Sequence, residues 1–185
     1  MNMATIGTLS SRYARAFYAF ATDNSEEDKV YDEMKFLSHS FLTVPELKRF
    51  LQSPVLTLAA KLQALETASG GNVTKSSQQF YEFVFDKEKH DLLLYIASAY
   101  LSVYRKAKNL VYVDLITAVE LDNEFIESIK NYVLKDYNDN AIVEMSISID
   151  PGIIGGFILN VDGKQLDLSI KGELKNLRKS ILKNL

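Results

Sequence analysis

The apolar residues of this chain change their spacing once, near Arg105, and no other feature limits the fold as strongly. Before that point they recur every three or four residues, the period of a helix face; beyond it, alternating stretches take over. In SSRYARAFYAFAT, Tyr13, Phe17, Phe20 and Ala21 share one face, with Ser10 or Ser11 as the expected N-cap. A second helix opens in NSEED, where Ser25 is the expected cap and Asp28 the acidic N3 residue, and it carries Val30, Met34, Leu37 and Phe41 on its stripe. Pro45 suits the first turn of a third helix, and Pro54 breaks the chain after Ser53. Thr57 is placed to cap a fourth, which stops at Gly70-Gly71. A fifth starts near Thr74 and a sixth near Asp91. Helices this short are not stable singly, so the spacing predicts a compact antiparallel bundle.

After Asn109 the chain reads as strands with two helices among them. LVYVDLITAVEL sets Val111, Val113, Leu115 and Thr117 on one side, and AIVEMSISID sets Val143, Met145, Ile147 and Ile149 on one face. Between them Asp122 is the expected cap of a helix whose stripe is Phe125, Ile129 and Val133, ending in the turn-like NDN. Asp162-Gly163 between IIGGFILNV and KQLDLSI is a hairpin signal, because a type I′ turn needs positive φ twice. A last helix, about Lys171 to Asn184, carries Leu174, Leu177, Ile181 and Leu185 on one seam and Lys175, Arg178, Lys179 and Lys183 as its charge. The expected fold is mostly α with an α+β C-terminal part: an N-terminal six-helix bundle over 1–107, then a smaller mixed domain over 108–185 with a β-hairpin and two helices.

The same residues narrow the function. DPGIIGGFILNVDGK suggests a phosphate cradle, but Gly156 and Gly163 enclose six residues where such a loop needs four, and Gln165 stands where a magnesium-binding hydroxyl is required. The glycine pair reads instead as a bulge or a close backbone approach in the sheet. His39 and His90 are the two imidazoles, without the spacing of a zinc helix, and surface or capping roles are expected for both. Cysteine is absent, which removes disulfides and thiolate chemistry and favours an intracellular protein. The carboxylates fall on polar faces, where solvation is the expected role. A net charge of −3 with scattered Lys and Arg argues against nucleic acid as a partner. No run approaches the roughly 18 to 20 apolar residues of a membrane span, and the opening MNMATIGTLSSRY lacks the apolar core of a signal peptide. No catalytic, cofactor or metal site is expected, and the partners to look for are proteins.

Two motifs at opposite ends carry a resemblance. SRYARAFYAFA, Ser11 to Ala21, is similar to the RYAKALFELA opening of the delta subunits of bacterial F-type ATP synthases, the family that includes the mitochondrial oligomycin-sensitivity-conferring protein. IDPGIIGGFILNVDGKQLDLSIKGELKNL resembles the C-terminal signature of that family: Asp-Pro, a Gly-Gly pair, then Asp-x-Ser-[Ile/Val] before a final helix. Lys89-His90 stand where the family often has Gly-Arg, Leu168 where Gly is common and Lys171 where Arg is common. The resemblance implies a non-catalytic stator subunit of the proton- or sodium-driven synthase, monomeric when isolated and without cofactor. It would link the catalytic head to the b-subunit stalk on the cytoplasmic face of the bacterial membrane, without inserting into it. The alternative is a helical-bundle adaptor unrelated to the synthase.

The resemblance further implies that the helical domain receives N-terminal helices of the head's alpha subunits and that the C-terminal domain engages the C-terminal end of b. An incoming amphipathic helix needs a groove between two bundle helices. Tyr13, Ala14, Phe17 and Tyr18 with Phe80, Phe83 and Val84 are the residues expected there, since five aromatics on the first and fifth helices exceed what a narrow inner face holds. For the stalk contact, Leu174, Leu177 and Ile181 form the expected seam, flanked by Lys175, Arg178, Lys179 and Lys183.

Overall fold

The computed structural model describes residues 3–137, 141–161 and 164–183. It divides into two compact units, Met1–Tyr104 and Arg105–Leu185.

The first unit is helical: α1 (Met3–Asp23), α2 (Glu27–Thr43), α3 (Pro45–Gln52), α4 (Leu58–Ala68), α5 (Lys75–Asp86) and α6, entered through a 3-10 turn at His90–Leu92 and running from Leu93 to Ala107. Of the two stripes read from the sequence, Phe17, Ala21, Val30, Met34 and Leu37 are buried while Phe20 is exposed, and Leu65, Val84 and Ile96 join them in the core. Each of the larger side chains removed from water stabilises the fold by about 1.5–3 kcal/mol. Thr57 caps α4 by accepting from Ala60 N at 3.3 Å, and Thr74 caps α5 by accepting from Ser77 N at 3.2 Å. Gly70 and Gly71, at φ 107° and 89°, end α4 in backbone that other residues rarely adopt.

Three expectations need correction. Ser10 and Ser11 lie inside α1 and cap nothing, because Ile6 and Leu9, both half-buried, extend the apolar face toward the N-terminus. Ser25 has φ 58° and belongs to the turn after α1; Glu26 holds the N-cap position of α2, which puts Asp28 at N2. His90 is half-buried with its ring stacked on Phe85 at 5.1 Å, whereas His39 is exposed as expected.

The second unit is β1 (Leu110–Thr117), α7 (Asn123–Tyr137), β2 (Ile142–Ile149), a 3-10 turn at Pro151–Ile153, β3 (Gly156–Val161), β4 (Lys164–Ser169) and α8 (Ile170–Lys183). The sheet order is β2-β1-β3-β4. β1 and β2 run parallel, which the crossover through α7 permits, while β3 lies antiparallel to both β1 and β4. Asp122 caps α7, its carboxylate accepting from Phe125 N at 2.8 Å. The alternation of β1 appears in its burial, whereas β2, an edge strand, keeps the expected face in its register but not in its burial. The register places Val111, Val113, Leu115 and Thr117 on one face with Val143, Met145, Ile147 and Ile149 of β2, and with Phe157, Leu159 and Val161 of β3. Ile129 and Val133 of α7 close the core over the middle of that face. The turn residues Asp162-Gly163 and the NDN segment, Asn138 to Asn140, lie outside the described residues, but Val161 pairs with Lys164 on either side of the expected hairpin turn.

Candidate partner-binding surfaces

On the helical unit, α1 and α5 bound an apolar groove of about 430 Å3 lined by Arg12, Tyr13, Ala16, Phe17, Phe20, Gln79, Phe80 and Phe83. Its floor is the Phe17–Phe80 pair, stacked at 3.9 Å with the rings 5° from parallel. Tyr13 and Phe83 face each other at 6.0 Å, and Phe83 is 47% exposed despite its size. Lys87 Nζ lies 5.7 Å from the centre of the Phe83 ring, so a cation borders the apolar lining there. Apart from the Arg12 guanidinium, the Gln79 amide and the Tyr13 hydroxyl the lining side chains are hydrocarbon, a surface suited to the apolar side of an amphipathic helix.

Four of the seven residues expected in the groove line it: Tyr13, Phe17, Phe80 and Phe83. Ala14 and Val84 do not, because each is fully buried one position away from the groove-facing stripe of its helix. Tyr18 is turned to α6, where its ring lies 6.0 Å from Tyr100 and 6.3 Å from Tyr104. The sequence reading missed Arg12, Ala16, Phe20 and Gln79. Their signal was spacing: 12, 13, 16, 17 and 20 form one helical stripe, as do 79, 80 and 83.

On the mixed unit the candidate surface is α8 and the uncovered parts of the apolar sheet face. Leu174 and Leu177 are 54% and 59% exposed, so the seam of α8 does not pack into a core over these turns. Lys175, Arg178 and Lys179 are exposed beside them; the side chains of Ile181 and Lys183 lie outside what is described, and so does Leu185. The pairing of Phe157 with Leu168 and of Leu159 with Leu166 brings two further exposed leucines onto the apolar face at its β4 edge. Ile147 and Ile149 are exposed on the same face at the β2 edge.

The ATP synthase delta (OSCP) subunit family model matches residues 9–181. The chain belongs to this family. It is 37% identical over 183 residues to the ATP synthase subunit delta of Bacteroides thetaiotaomicron, covering 96% of this chain and 95% of that one. The subunit delta of Parabacteroides distasonis is 34% identical over 179 residues, covering 97% and 98%. Among solved structures, a chain of the Toxoplasma gondii mitochondrial ATP synthase hexamer has the same fold, with a TM-score of 0.68 at 20% identity over 94% of this chain and 97% of that one. Delta subunits are non-catalytic components of the synthase's peripheral stalk, and this chain is one of them, associating with other subunits of the complex. Among the described residues no helix is long and apolar enough to cross a membrane.

The delta-family signature at the C-terminal end now has a physical reading. Gly156 and Lys164 cannot share a phosphate nest, because Gly156 pairs with Ser169 at one end of the hairpin and Lys164 with Val161 at the other. Gly156 has φ 72°, and a Cβ there would lie 2.2 Å from the Leu168 carbonyl oxygen, so the close backbone approach expected of the glycine pair is present. A Cβ on Gly155 would meet Ile170 Cδ1 at 2.7 Å. Asp167 accepts from Ser169 N at 3.0 Å and from Ser169 Oγ at 2.6 Å, and Ser169 Oγ in turn accepts from Gly172 N at 3.0 Å. A Cβ on Gly172 would strike the Asp167 carboxylate at 2.7 Å. The hydrogen bonds from Ser169, side chain first and then backbone, hold the Asp167 carboxyl below its ordinary value. Asp-x-Ser and the glycines thus fasten the start of α8 to the hairpin.

Proposed function

We propose that this delta subunit joins the catalytic head to the peripheral stalk through two surfaces, one on each compact unit. The α1–α5 groove receives an N-terminal helix of an alpha subunit, with Tyr13, Phe17, Phe20, Phe80 and Phe83 as its apolar contacts. α8, with Leu174, Leu177, Lys175, Arg178, Lys179 and Ile181, engages the C-terminal end of the b subunit, together with the uncovered β4 edge of the sheet. The subunit then works on the cytoplasmic face of the bacterial membrane, carries load between head and stalk, and leaves nucleotide chemistry to other subunits.

The observation that carries this reading is the groove itself: about 430 Å3 of apolar, aromatic-lined space on a helical unit that buries a further set of side chains in its core. Exposed apolar area of this kind marks a partner site. Titration of the full chain with a peptide of the cognate alpha-subunit N-terminus tests it. Replacing Phe83 by Ala should weaken binding about tenfold or more, the scale of a central anchor residue, while the melting temperature changes little. Tyr18→Ala should do the reverse, since its ring supports α6. Equal affinity for wild type and Phe83→Ala would remove the groove from the proposal. For α8, Leu177→Asp should abolish capture of the b subunit's C-terminal segment, and retained capture would reject that surface.

A further inference from the structure

Glu33 is the one charged residue in the buried core among the described residues, and nothing in the function proposed above uses it. Its carboxylate accepts from Thr74 N at 2.6 Å and Thr74 Oγ1 at 3.2 Å, and it also accepts from Ser77 Oγ. Glu26, at the start of the same helix α2, accepts from Ser76 N at 3.0 Å. Two carboxylates of α2 therefore meet the first turn of α5, where unpaired N–H groups and the helix dipole favour negative charge. Thr74 itself caps only Ser77 N, and the two carboxylates take the neighbouring donors Thr74 N and Ser76 N, which ties α2 to the start of α5. The network also reaches the other wall of the groove. Asn24 Nδ2 donates to Phe20 O, in the last turn of α1, at 2.9 Å and to Ser76 Oγ at 3.2 Å. The end of α1 and the start of α5 are thus held together at the end of the groove where Phe20 and Gln79 stand.

We infer that Glu33 is a positioning residue for the α1–α5 groove: with Glu26 and Asn24 it forms a clasp that fixes the separation of the two walls. Its effect on peptide affinity rests on the reading of the groove as the alpha-subunit site; its effect on the walls does not. Phe80 lies one turn beyond the clasp, so a first turn of α5 released from Glu33 shifts the ring stacked on Phe17.

The test uses the full chain, at a temperature where every variant is folded. In the wild type the rings of Phe17 and Phe80 give strong nuclear Overhauser contacts; Glu33→Ala should weaken them and lower affinity for the alpha-subunit peptide on the order of tenfold, the scale of a coupled change remote from the ligand. Glu33→Gln keeps an acceptor for Thr74 N and should restore both readings. Thr57→Ala, which removes the cap of α4 away from the groove, should lower stability and leave both untouched. Unchanged Phe17–Phe80 contacts in Glu33→Ala overturn the clasp, whatever the peptide does. A wild type that binds no peptide overturns the groove as the alpha site, and the ring contacts still decide the clasp. Should Glu33→Ala fail to fold, Asn24→Ala is read in the same way, with loss of the ring contacts expected and their retention fatal.

Discussion

The two units carry their surplus apolar surface differently. The helical unit folds its surplus into a groove, with a stacked ring pair as floor and further aromatics around it. The mixed unit leaves its surplus on an exposed helix seam and on the two edges of a sheet face that α7 covers only in the middle. A preformed groove has already met the entropy of ordering its side chains, so an incoming helix meets fixed walls. An open seam must order both partners on contact, and its affinity comes from area and charge along its length. The contrast separates residues that stabilise this chain from residues that serve a partner.

The largest effect that would break the contrast lies in the groove floor. Phe17 is buried and also lines the groove, so Phe17→Ala should cost about 3–5 kcal/mol of stability in chemical denaturation and abolish peptide binding as well. Retained stability would mean that the floor is partner surface only. Next comes Gly156→Ala, which forces a Cβ against the Leu168 carbonyl at positive φ and should destabilise the hairpin by about 3 kcal/mol. Hydrogen exchange should show the loss in β3 and β4 amides while α1 to α5 keep their protection. Leu177→Asp should change stability by no more than about 0.5 kcal/mol, because the side chain is exposed, although the same change is expected to remove stalk capture.

The smallest effect is a pH dependence. Burial holds the Glu33 carboxyl above its ordinary value of 4.5, so the folded state binds that proton more tightly than the unfolded chain does. Stability contributed by this group therefore rises as pH falls from the folded value to 4.5. Glu26 and Asp167 run the other way. The hydrogen bonds from Ser76 and from Ser169 hold their carboxyls low, and their contributions, full above the ordinary values of 4.5 and 3.8, vanish as pH falls through the folded ones. Melting temperature followed against pH should show a rise in mild acid in the wild type that Glu33→Gln lacks; parallel curves would mean that Glu33 does not titrate in that range.

Much of this was legible before any coordinates. The change of period near Arg105 marked the passage from helices to strands, and alternation in β1 and β2 named the shared apolar face, although not that its β2 edge, Ile147 and Ile149, is left exposed. The groove was half legible, since helical spacing identifies a stripe but not where the stripe meets its neighbour; Ala14 and Phe17 look alike on a wheel until α5 is in place. The clasp was not legible at all. Thr74 follows Glu33 by 41 residues, and although Glu33 stands three residues after Val30 and four before Leu37, at the flank of the apolar stripe, that spacing does not name its partner. The Asp-x-Ser and Gly-Gly motifs were visible as a family resemblance, whereas their cause, the backbone of Leu168 against Gly156 and the Asp167–Ser169–Gly172 hydrogen bonds, is a property of the folded hairpin.

β4 passes directly into α8. Ser169 is the last residue of the strand and Ile170 the first of the helix, with no residue between them. A flexible joint of five residues would let the helix root wander by about 12 Å. Here displacement of α8 is passed at once to a strand that is hydrogen-bonded along its length to β3. A partner gripped by α8, as proposed, would therefore be held without slack, and the play in the joint is set by the stiffness of a sheet.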